Sequence, residues 1–368
     1  MPIPNLLRPS RLALAGSLLA VAASAAQALT FQLSFTPGTT AQEQASFVAA
    51  ANLWSAQFTD AVTVKLTVGT AALGSGILGQ AGSRELAYSY TSIRGALSGD
   101  ASSAADAIAM ANLPLGSTFG MLINRTANNP NGSGSATAYV DNNGDLNNQT
   151  IRLTASNARA LGLSFGVGGV AGGCVDCDAF IQFSTAFSWD HDRSNGIGSG
   201  AYDFIGIAAH EIGHALGFIS GIDELDYYAQ AVNGGPYSDS SFDNVTPLDL
   251  FRWSAASRLQ GVIDWTASTT DKYFSIDGGL TVGPSFATGL VYGDGRQASH
   301  WKDNLGIGLL DPTAGQGELL AISANDLKAL DVVGWNLAAV PEPRSAMLFV
   351  AGLAAMGWIV RRRRRAQP

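Results

Sequence analysis

The stretch that most constrains this chain is GIAAHEIGHALGFISGID, residues 206–223, because it combines a helical pattern with two histidines four residues apart. At 100° per residue, the aliphatic side chains fall on one stripe, and His210 and His214 fall on the opposite face. Asp203 is placed to cap the first turn, and Gly217 is placed to end the helix. We therefore predict a helix that is buried on one side and presents both imidazoles on the other.

The spacing of the two histidines indicates a metal ion. Side chains at positions i and i+4 of a helix can place two imidazole nitrogens about 2.0 to 2.1 Å from one zinc ion. Glu211, one position round the helix, can reach a water molecule on that ion and act as a general base. A catalytic zinc needs three protein ligands and an open position for water, so one ligand remains to be found.

The segment HEIGHALGF resembles the metzincin proteases, whose pattern HExxHxxGxxH places a third histidine three residues after the glycine. Ser220 occupies that position here, so the short pattern fails. The downstream glutamate of thermolysin-like proteases is not available either, since no glutamate lies between Glu224 and Glu318. Asp223 is one candidate for the third ligand.

The stronger candidate is His300, 86 residues beyond His214. It precedes the segment GLLDP (Gly308–Pro312), which resembles the turn beneath the metal in metzincins. Leishmanolysin-type metzincins have this layout, with a long insertion between the active-site helix and the third histidine. The resemblance extends from about residue 179 to 335. It implies zinc bound by His210, His214 and His300, with Glu211 as the catalytic residue.

Two departures from the metzincin pattern stand out. Leu310 occupies the place of the methionine in the turn. This replacement should be tolerated, because the turn packs beneath the site and supplies no ligand. No tyrosine follows Tyr292, so the tyrosine that some metzincins carry just after the turn is missing. The ending SANDLKALDVVGWNL suits the helix that metzincins place after the turn, with Ser323 and Asp326 as a capping box.

The two ends of the chain read as targeting segments. Residues 1–28 carry two arginines, a short apolar run and an Ala-x-Ala site, which predict a cleaved signal peptide. Residues 341–368 place Pro-Glu-Pro before an apolar segment and five arginines, and this order resembles the PEP-CTERM tail that exosortase processes in Gram-negative bacteria. The expected topology is an exported domain, with a membrane anchor whose arginines stay cytoplasmic. A plain membrane anchor is the alternative for this tail.

The charge of the intervening domain limits its partners. Residues 29–340 contain 13 Lys and Arg against 28 Asp and Glu, a net charge of −15. A nucleic-acid partner is excluded, because it would require clustered basic side chains. The domain suits an exported protein that can bind cations.

The two cysteines, Cys174 and Cys177, are predicted to form a disulfide, because an exported compartment is oxidising. A zinc site there would need two further ligands nearby.

The remaining pattern predicts an α+β fold with a mixed sheet, an active-site helix and a final helix. We expect an N-terminal subdomain over 29–217 and a C-terminal one over 218–340. Residues 40–58 read as a helix opened by a capping box of Thr40 and Glu43, and 62–69 read as a strand. The segment AFIQFSTAF, residues 179–187, is predicted to be the sheet edge along which substrate lies, and 73–83 reads as a loop.

One loop has oxygen-bearing side chains at alternate positions: Asp141, Asn143, Asp145 and Asn147. This spacing is typical of calcium loops, but Leu146 occupies the position that EF-hands fill with glycine. The two interpretations are a Ca²⁺ site and a solvated turn.

Two functions follow from these patterns. The first is an exported zinc endopeptidase that acts on proteins or peptides, with Glu211 as general base and then general acid. The second is a surface or matrix protein in which the zinc is structural or vestigial. A purely structural site would give Glu211 no purpose, which favours the enzyme.

Overall fold

The computed structural model describes residues 29–170 and 173–339, together with positions 352, 356 and 362. The predicted signal peptide lies outside these residues, and so does the predicted sorting tail apart from the three isolated positions. Within the part described, no helix combines the length and the apolar character that a membrane crossing requires. The described chain is mixed α+β, as the sequence predicts.

The α-helices are α1 (Ala41–Ser55), α2 (Tyr90–Asp100), α3 (Ala104–Asn112), α4 (Ala155–Ala160), α5 (Phe204–Ala215), α6 (Ile222–Tyr228), α7 (Ala255–Gln260) and α8 (Ala324–Asp331). The strands are β1 (Thr30–Phe35), β2 (Thr63–Ala71), β3 (Gly79–Ser83), β4 (Glu85–Ser89), β5 (Met121–Ile123), β6 (Tyr139–Asp141), β7 (Thr150–Thr154), β8 (Ala179–Ser184), β9 (Trp189–Asp190), β10 (Tyr202–Asp203), β11 (Arg252–Trp253), β12 (Ile263–Asp264), β13 (Lys272–Phe274) and β14 (Ser285–Phe286). Short 3-10 turns occupy Leu146–Asn148, Ala231–Asn233, Asp239–Ser241 and Leu248–Phe251.

The largest sheet has the strand order β1-β2-β8-β3. The first three strands run parallel, and β3 is antiparallel to β8. The alternation in β2 follows the sequence pattern, with Val64, Leu66 and Val68 buried on one face. Because β8 lies between β2 and β3, the prediction that residues 179–187 form the sheet edge is wrong. The edge on that side is β3, in a segment that the sequence analysis assigned to a loop.

Helix α1 packs against helix α5, which carries His210 and His214. Its predicted start is confirmed: the Thr40 side chain caps the Glu43 amide, and the Glu43 carboxylate accepts from the Thr40 amide. Phe47 and Trp54 are fully buried, and the Trp54 Nε1 donates to the Ala209 carbonyl over 2.8 Å. Helix α1 therefore supports the back of α5.

The smaller sheets tie the two halves of the chain together. Strand β12 pairs in parallel with β5, which pairs antiparallel with β6. One cluster of buried side chains extends from Leu29 to Trp335. The predicted subdomains 29–217 and 218–340 thus share a sheet and a hydrophobic core.

Candidate metal centre

Helix α5 forms where the sequence pattern places it. The Asp203 carboxylate accepts from the Gly206 amide over 2.9 Å and so caps the first turn. Gly217 adopts φ +118°, a conformation that favours glycine, and ends the helix. The core-facing side chains Ala209 and Ile212 are buried. Their burial fixes the rotation of α5 and with it the direction of its two histidines.

Three imidazole nitrogens converge in front of α5. The Nε2 atoms of His210 and His214 are 3.0 Å apart, and the Nε2 atom of His300 lies 3.2 Å from the Nε2 of His214 and 3.3 Å from that of His210. Among the described residues, these three side chains are the group of His, Cys, Asp and Glu that converges closely enough to hold a metal ion. The structure therefore unites the two helical histidines with the distant histidine that the sequence analysis selected.

The opposite nitrogen of each ring is fixed by the backbone. The Nδ1 of His210 donates to the Leu309 carbonyl (2.8 Å), that of His214 to the Phe218 carbonyl (2.8 Å), and that of His300 to the Gln297 carbonyl (3.2 Å). Because a carbonyl oxygen can only accept, each Nδ1 must carry the proton. The three Nε2 atoms therefore present lone pairs, and each ring is oriented as metal-ligating imidazoles usually are.

Burial keeps the three rings neutral. It lowers the pKa of His210 to about 4 and that of His214 to about 3, where the neighbouring His210 adds a smaller effect. The pKa of His300 also lies well below its usual range, chiefly through burial. Neutral imidazoles are the form that binds a metal ion.

These residues fit a zinc ion. Three ligands placed about 2.0 to 2.1 Å from one ion at tetrahedral angles are about 3.3 to 3.4 Å apart, close to the separations found here. Three lone pairs that face one another without a donor repel, and a cation relieves that repulsion. The set of three neutral nitrogens suits zinc and other divalent transition metals.

Glu211 lies beside this cluster and is 6% exposed. Burial raises the pKa of its carboxyl to about 8. Its Oε1 atom approaches strand β3 so closely that a Cβ built on Gly79 would lie 2.9 Å away. Glu211 thus occupies the gap between the histidines and the sheet edge.

The segment Gly308–Pro312 passes beneath the histidines. The Leu309 carbonyl orients His210, and the buried Leu310 side chain packs against α5, where a Cβ built on Gly213 would lie 3.1 Å from it. The Leu310 carbonyl accepts from the Trp301 amide, next to His300. The turn thereby contacts both the helix and the strand-like segment that carry the histidines.

Asp326 fixes this turn, a role that the sequence analysis missed. Its carboxylate accepts from the Leu309 amide (2.8 Å), from the Leu310 amide (3.3 Å) and from the Trp301 Nε1 (2.8 Å). It also completes the predicted capping box of α8 with Ser323. The sequence indicated the cap alone, because the other donors come from segments that meet Asp326 only in the folded chain.

Asp223, the other candidate ligand, points elsewhere. Its carboxylate accepts from the amides of Ala298 (2.6 Å) and Ser299 (3.1 Å) and from the Ser299 hydroxyl. The guanidinium of buried Arg252 donates to the Ala298 carbonyl from the other side (2.6 Å). Asp223 therefore holds the segment just before His300, and its oxygens are not part of the histidine cluster.

An open cleft of about 1070 Å³ leads to the three histidines and Glu211. Strand β3 forms one wall, and the segments around Arg296 and Pro312 form the other. The three histidines and Glu211 are therefore accessible from this cleft.

The loop that contains Asp141, Asn143, Asp145 and Asn147 is partly buried. Asp141 is 2% exposed and accepts from the Asn147 side-chain amide over 2.8 Å. Asn143 accepts from the Asp145 amide and donates to the Asp145 carboxylate. The solvated-turn interpretation is therefore wrong for Asp141 and Asn147, while calcium binding stays a prediction.

The two cysteines lie in a loop before β8. The sulfur atoms of Cys174 and Cys177 are within disulfide distance, and their Cα atoms are 5.9 Å apart. This geometry fits the predicted disulfide.

No protein-family model matches the chain, and no curated protein or solved structure gives a significant match.

Proposed function

We propose that this chain is an exported zinc-dependent endopeptidase with a metzincin-like catalytic domain. The observation that carries the proposal is the convergence of three Nε2 lone pairs from His210, His214 and His300 at the end of an open cleft. Each Nδ1 atom carries the proton of its neutral ring and donates it to a backbone carbonyl, so no proton lies between the three Nε2 atoms. The arrangement has three protein ligands and an open side, which is typical of catalytic zinc.

A bound zinc ion supplies Lewis acidity, which polarises a carbonyl and lowers the pKa of water towards neutrality. The chain's own part in the reaction falls to Glu211. A divalent cation beside Glu211 would lower the raised pKa of its carboxyl and favour the ionised form. That carboxylate accepts a proton from the attacking water and returns it to the leaving amine, as a general base and then a general acid. Gly79 of strand β3 lies directly beside the Oε1 atom of Glu211.

Strand β3 is the element best placed to bind the substrate backbone. Among the described residues it pairs only with β8, so its other edge has no strand partner in that part of the chain. An extended peptide can add to such an edge by main-chain hydrogen bonds. We infer a protein or peptide substrate that runs along β3 past Glu211.

Several features support the metzincin-like assignment. The HExxH helix, the distant His300, the turn that contains Leu310 and the capped final helix occur in the order of leishmanolysin-type metzincins. Leu310 fills the place of the turn methionine as a buried packing residue and not as a ligand. The proposed localisation is the exterior of a Gram-negative inner membrane, with the tail processed by an exosortase-like enzyme.

The alternative is a surface or matrix protein with a structural zinc. Structural zinc sites are usually closed by four protein ligands, whereas three converge here and the cleft is open.

The deciding experiment measures zinc content and casein cleavage on one preparation. We expect about one zinc per chain, with cleavage that stops on addition of 1,10-phenanthroline and returns when zinc is restored. Bound zinc without cleavage of casein would favour the structural alternative.

A further inference from the structure

Four aspartates outside the metal centre repel one another through their charges, and we call them the aspartate cluster: Asp60, Asp100, Asp106 and Asp331. They come from four separate segments, namely the loop after α1, the end of α2, the first turn of α3 and the end of α8. Asp60, Asp106 and Asp331 are buried, and Asp100 is half-buried. The proposed protease mechanism uses none of them.

Three of these carboxylates have neutral partners. Asp106 accepts from the amides of Ser102 and Ser103, both at 2.9 Å. Asp60 accepts from the amide of Asn336 (2.9 Å), and Asp100 accepts from its side-chain nitrogen (2.9 Å). None of the ion pairs within residues 29–170 and 173–339 includes a member of the cluster.

Asp331 is different because one of its oxygens has no partner. Its Oδ2 accepts from the Ser103 hydroxyl over 2.7 Å, which turns the carboxylate towards the start of α3. Its Oδ1 is buried and has no hydrogen-bond partner among the described residues, and the side chain as a whole is 3% exposed. A buried charged oxygen without a partner is costly, and such an atom usually marks a missing water or ion.

Burial and mutual repulsion act on the charges of the cluster. Burial raises the pKa of Asp331 to about 6, and repulsion by Asp106, Asp100 and Asp60 adds to the effect. The pKa of Asp100 is likewise raised to about 6, first by burial and then by Asp60 and Asp106. A bound cation would relieve both the burial cost and the repulsion.

Neutral oxygens and solvent access complete the arrangement. The Ser102 hydroxyl contacts the Asn336 Oδ1 atom beside Asp100. An open cavity of about 560 Å³ is lined by Asp60, Asp100, Ser102 and Asn336. An ion could enter from this side and keep some of its water.

We propose that the aspartate cluster binds Ca²⁺ and thereby joins α2 and α3 to the end of α8. The donors are all oxygens, which select hard cations over zinc. Among the described residues, no three of these carboxylates have oxygens within 4.8 Å of one another, so an ion here would need neutral oxygens and water to complete its coordination. Calcium accepts such irregular coordination, whereas magnesium demands a near-ideal octahedron.

The test uses the purified full-length, zinc-loaded protein. Equilibrium dialysis with ⁴⁵Ca²⁺ measures binding, and thermal unfolding is compared in millimolar CaCl₂, in MgCl₂ and in NaCl of equal ionic strength. We expect bound calcium and a rise in Tm of roughly 3 to 6 °C in CaCl₂ alone. Asp331→Asn and Asp100→Asn should lose most of both effects, with zinc content unchanged.

Asp145→Asn is the matched control, because it makes the same substitution in the loop of residues 141–147, the other candidate calcium site. It should keep the Tm shift conferred by the aspartate cluster. The proposal is overturned if wild-type protein binds no calcium, or if Asp145→Asn alone abolishes the shift. It is also overturned if Asp331→Asn raises Tm in calcium-free buffer and calcium has no effect on wild type, since the cluster would then hold a shared proton.

Discussion

His300 lies 86 residues beyond His214, yet the Nε2 atoms of the two rings are 3.2 Å apart. Their convergence depends on side chains that are not ligands. Asp223 holds the amides of Ala298 and Ser299, and the Leu309 carbonyl orients His210. At the residue scale, the site is a triangle of nitrogens positioned by buried carboxylates and backbone carbonyls.

The first prediction separates a ligand from a positioning residue. His300→Ala should lose zinc steeply during dialysis against a weak chelator, because two imidazoles leave the ion half coordinated by protein. Asp223→Ala should lower zinc affinity by no more than about 10- to 100-fold, as expected for a residue that orients a ligand. Circular dichroism checks the fold of both variants. Zinc kept by His300→Ala and lost by Asp223→Ala would reverse the assignment.

The second prediction concerns the cysteine pair. In the exported protein, Cys174 and Cys177 should be oxidised, because their separation fits a disulfide and the compartment is oxidising. Labelling of free thiols in native, unreduced protein should find none, and labelling after reduction should find both. Two reactive thiols before reduction would contradict the pairing.

Sequence reasoning succeeded at residues whose signal is local. The positions of His210, Glu211 and His214 follow from helical spacing, and the Asp203 cap follows from its place before the helix. For Asp326 the sequence predicted only the capping box, because the amides that its carboxylate accepts from belong to residues 309 and 310, which are distant in sequence. Roles that depend on partners distant in sequence leave no local pattern.

At the scale of secondary-structure elements, strand β3 is the element that the sequence failed to predict. Its sequence, GQAGS, contains no β-branched or aromatic residue, so propensity predicts a loop. The strand forms because its backbone pairs with β8 from Gly79 to Ser83. Conversely, AFIQFS has the alternation of a strand, but the alternation does not reveal whether that strand lies at the edge.

The third prediction tests the contact between β3 and Glu211, the proposed catalytic residue. A Cβ at Gly79 would lie 2.9 Å from the Glu211 Oε1 and 3.0 Å from the Phe183 ring. Gly79→Ala should therefore displace the carboxylate and lower kcat for casein by roughly 10- to 100-fold, while zinc stays bound. Gly82→Ala, on the same strand, should lose much less, because its Cβ would meet only Val170 at 3.5 Å. Equal losses in the two variants would argue against this role of Gly79.

At the scale of the whole molecule, the α+β class was predictable and the strand order was not. Strands β1, β2 and β8 pair in parallel although residues 72–178 separate the last two. Parallel pairs need long crossover connections, whose course a single sequence does not specify. The pairing of β5 with β12 was also not predictable, because the two strands belong to different predicted subdomains.

The fourth prediction concerns topology. A cleaved leader and a cytoplasmic arginine cluster would leave the domain outside the inner membrane. Protease added to intact spheroplasts should digest the domain, while a cytoplasmic marker protein stays intact. A domain that survives until the membrane is lysed would contradict this topology.

The proposed mechanism requires that the three histidines hold a zinc ion and that Glu211 transfers the proton beside it. The most direct test is to compare wild type with Glu211→Ala for zinc content and casein cleavage in the same preparations. We predict equal zinc in both proteins and a loss of cleavage by at least about 10²-fold in the variant, because a general base alone contributes that much. Casein cleavage by Glu211→Ala at the wild-type rate, with zinc bound, would contradict the account.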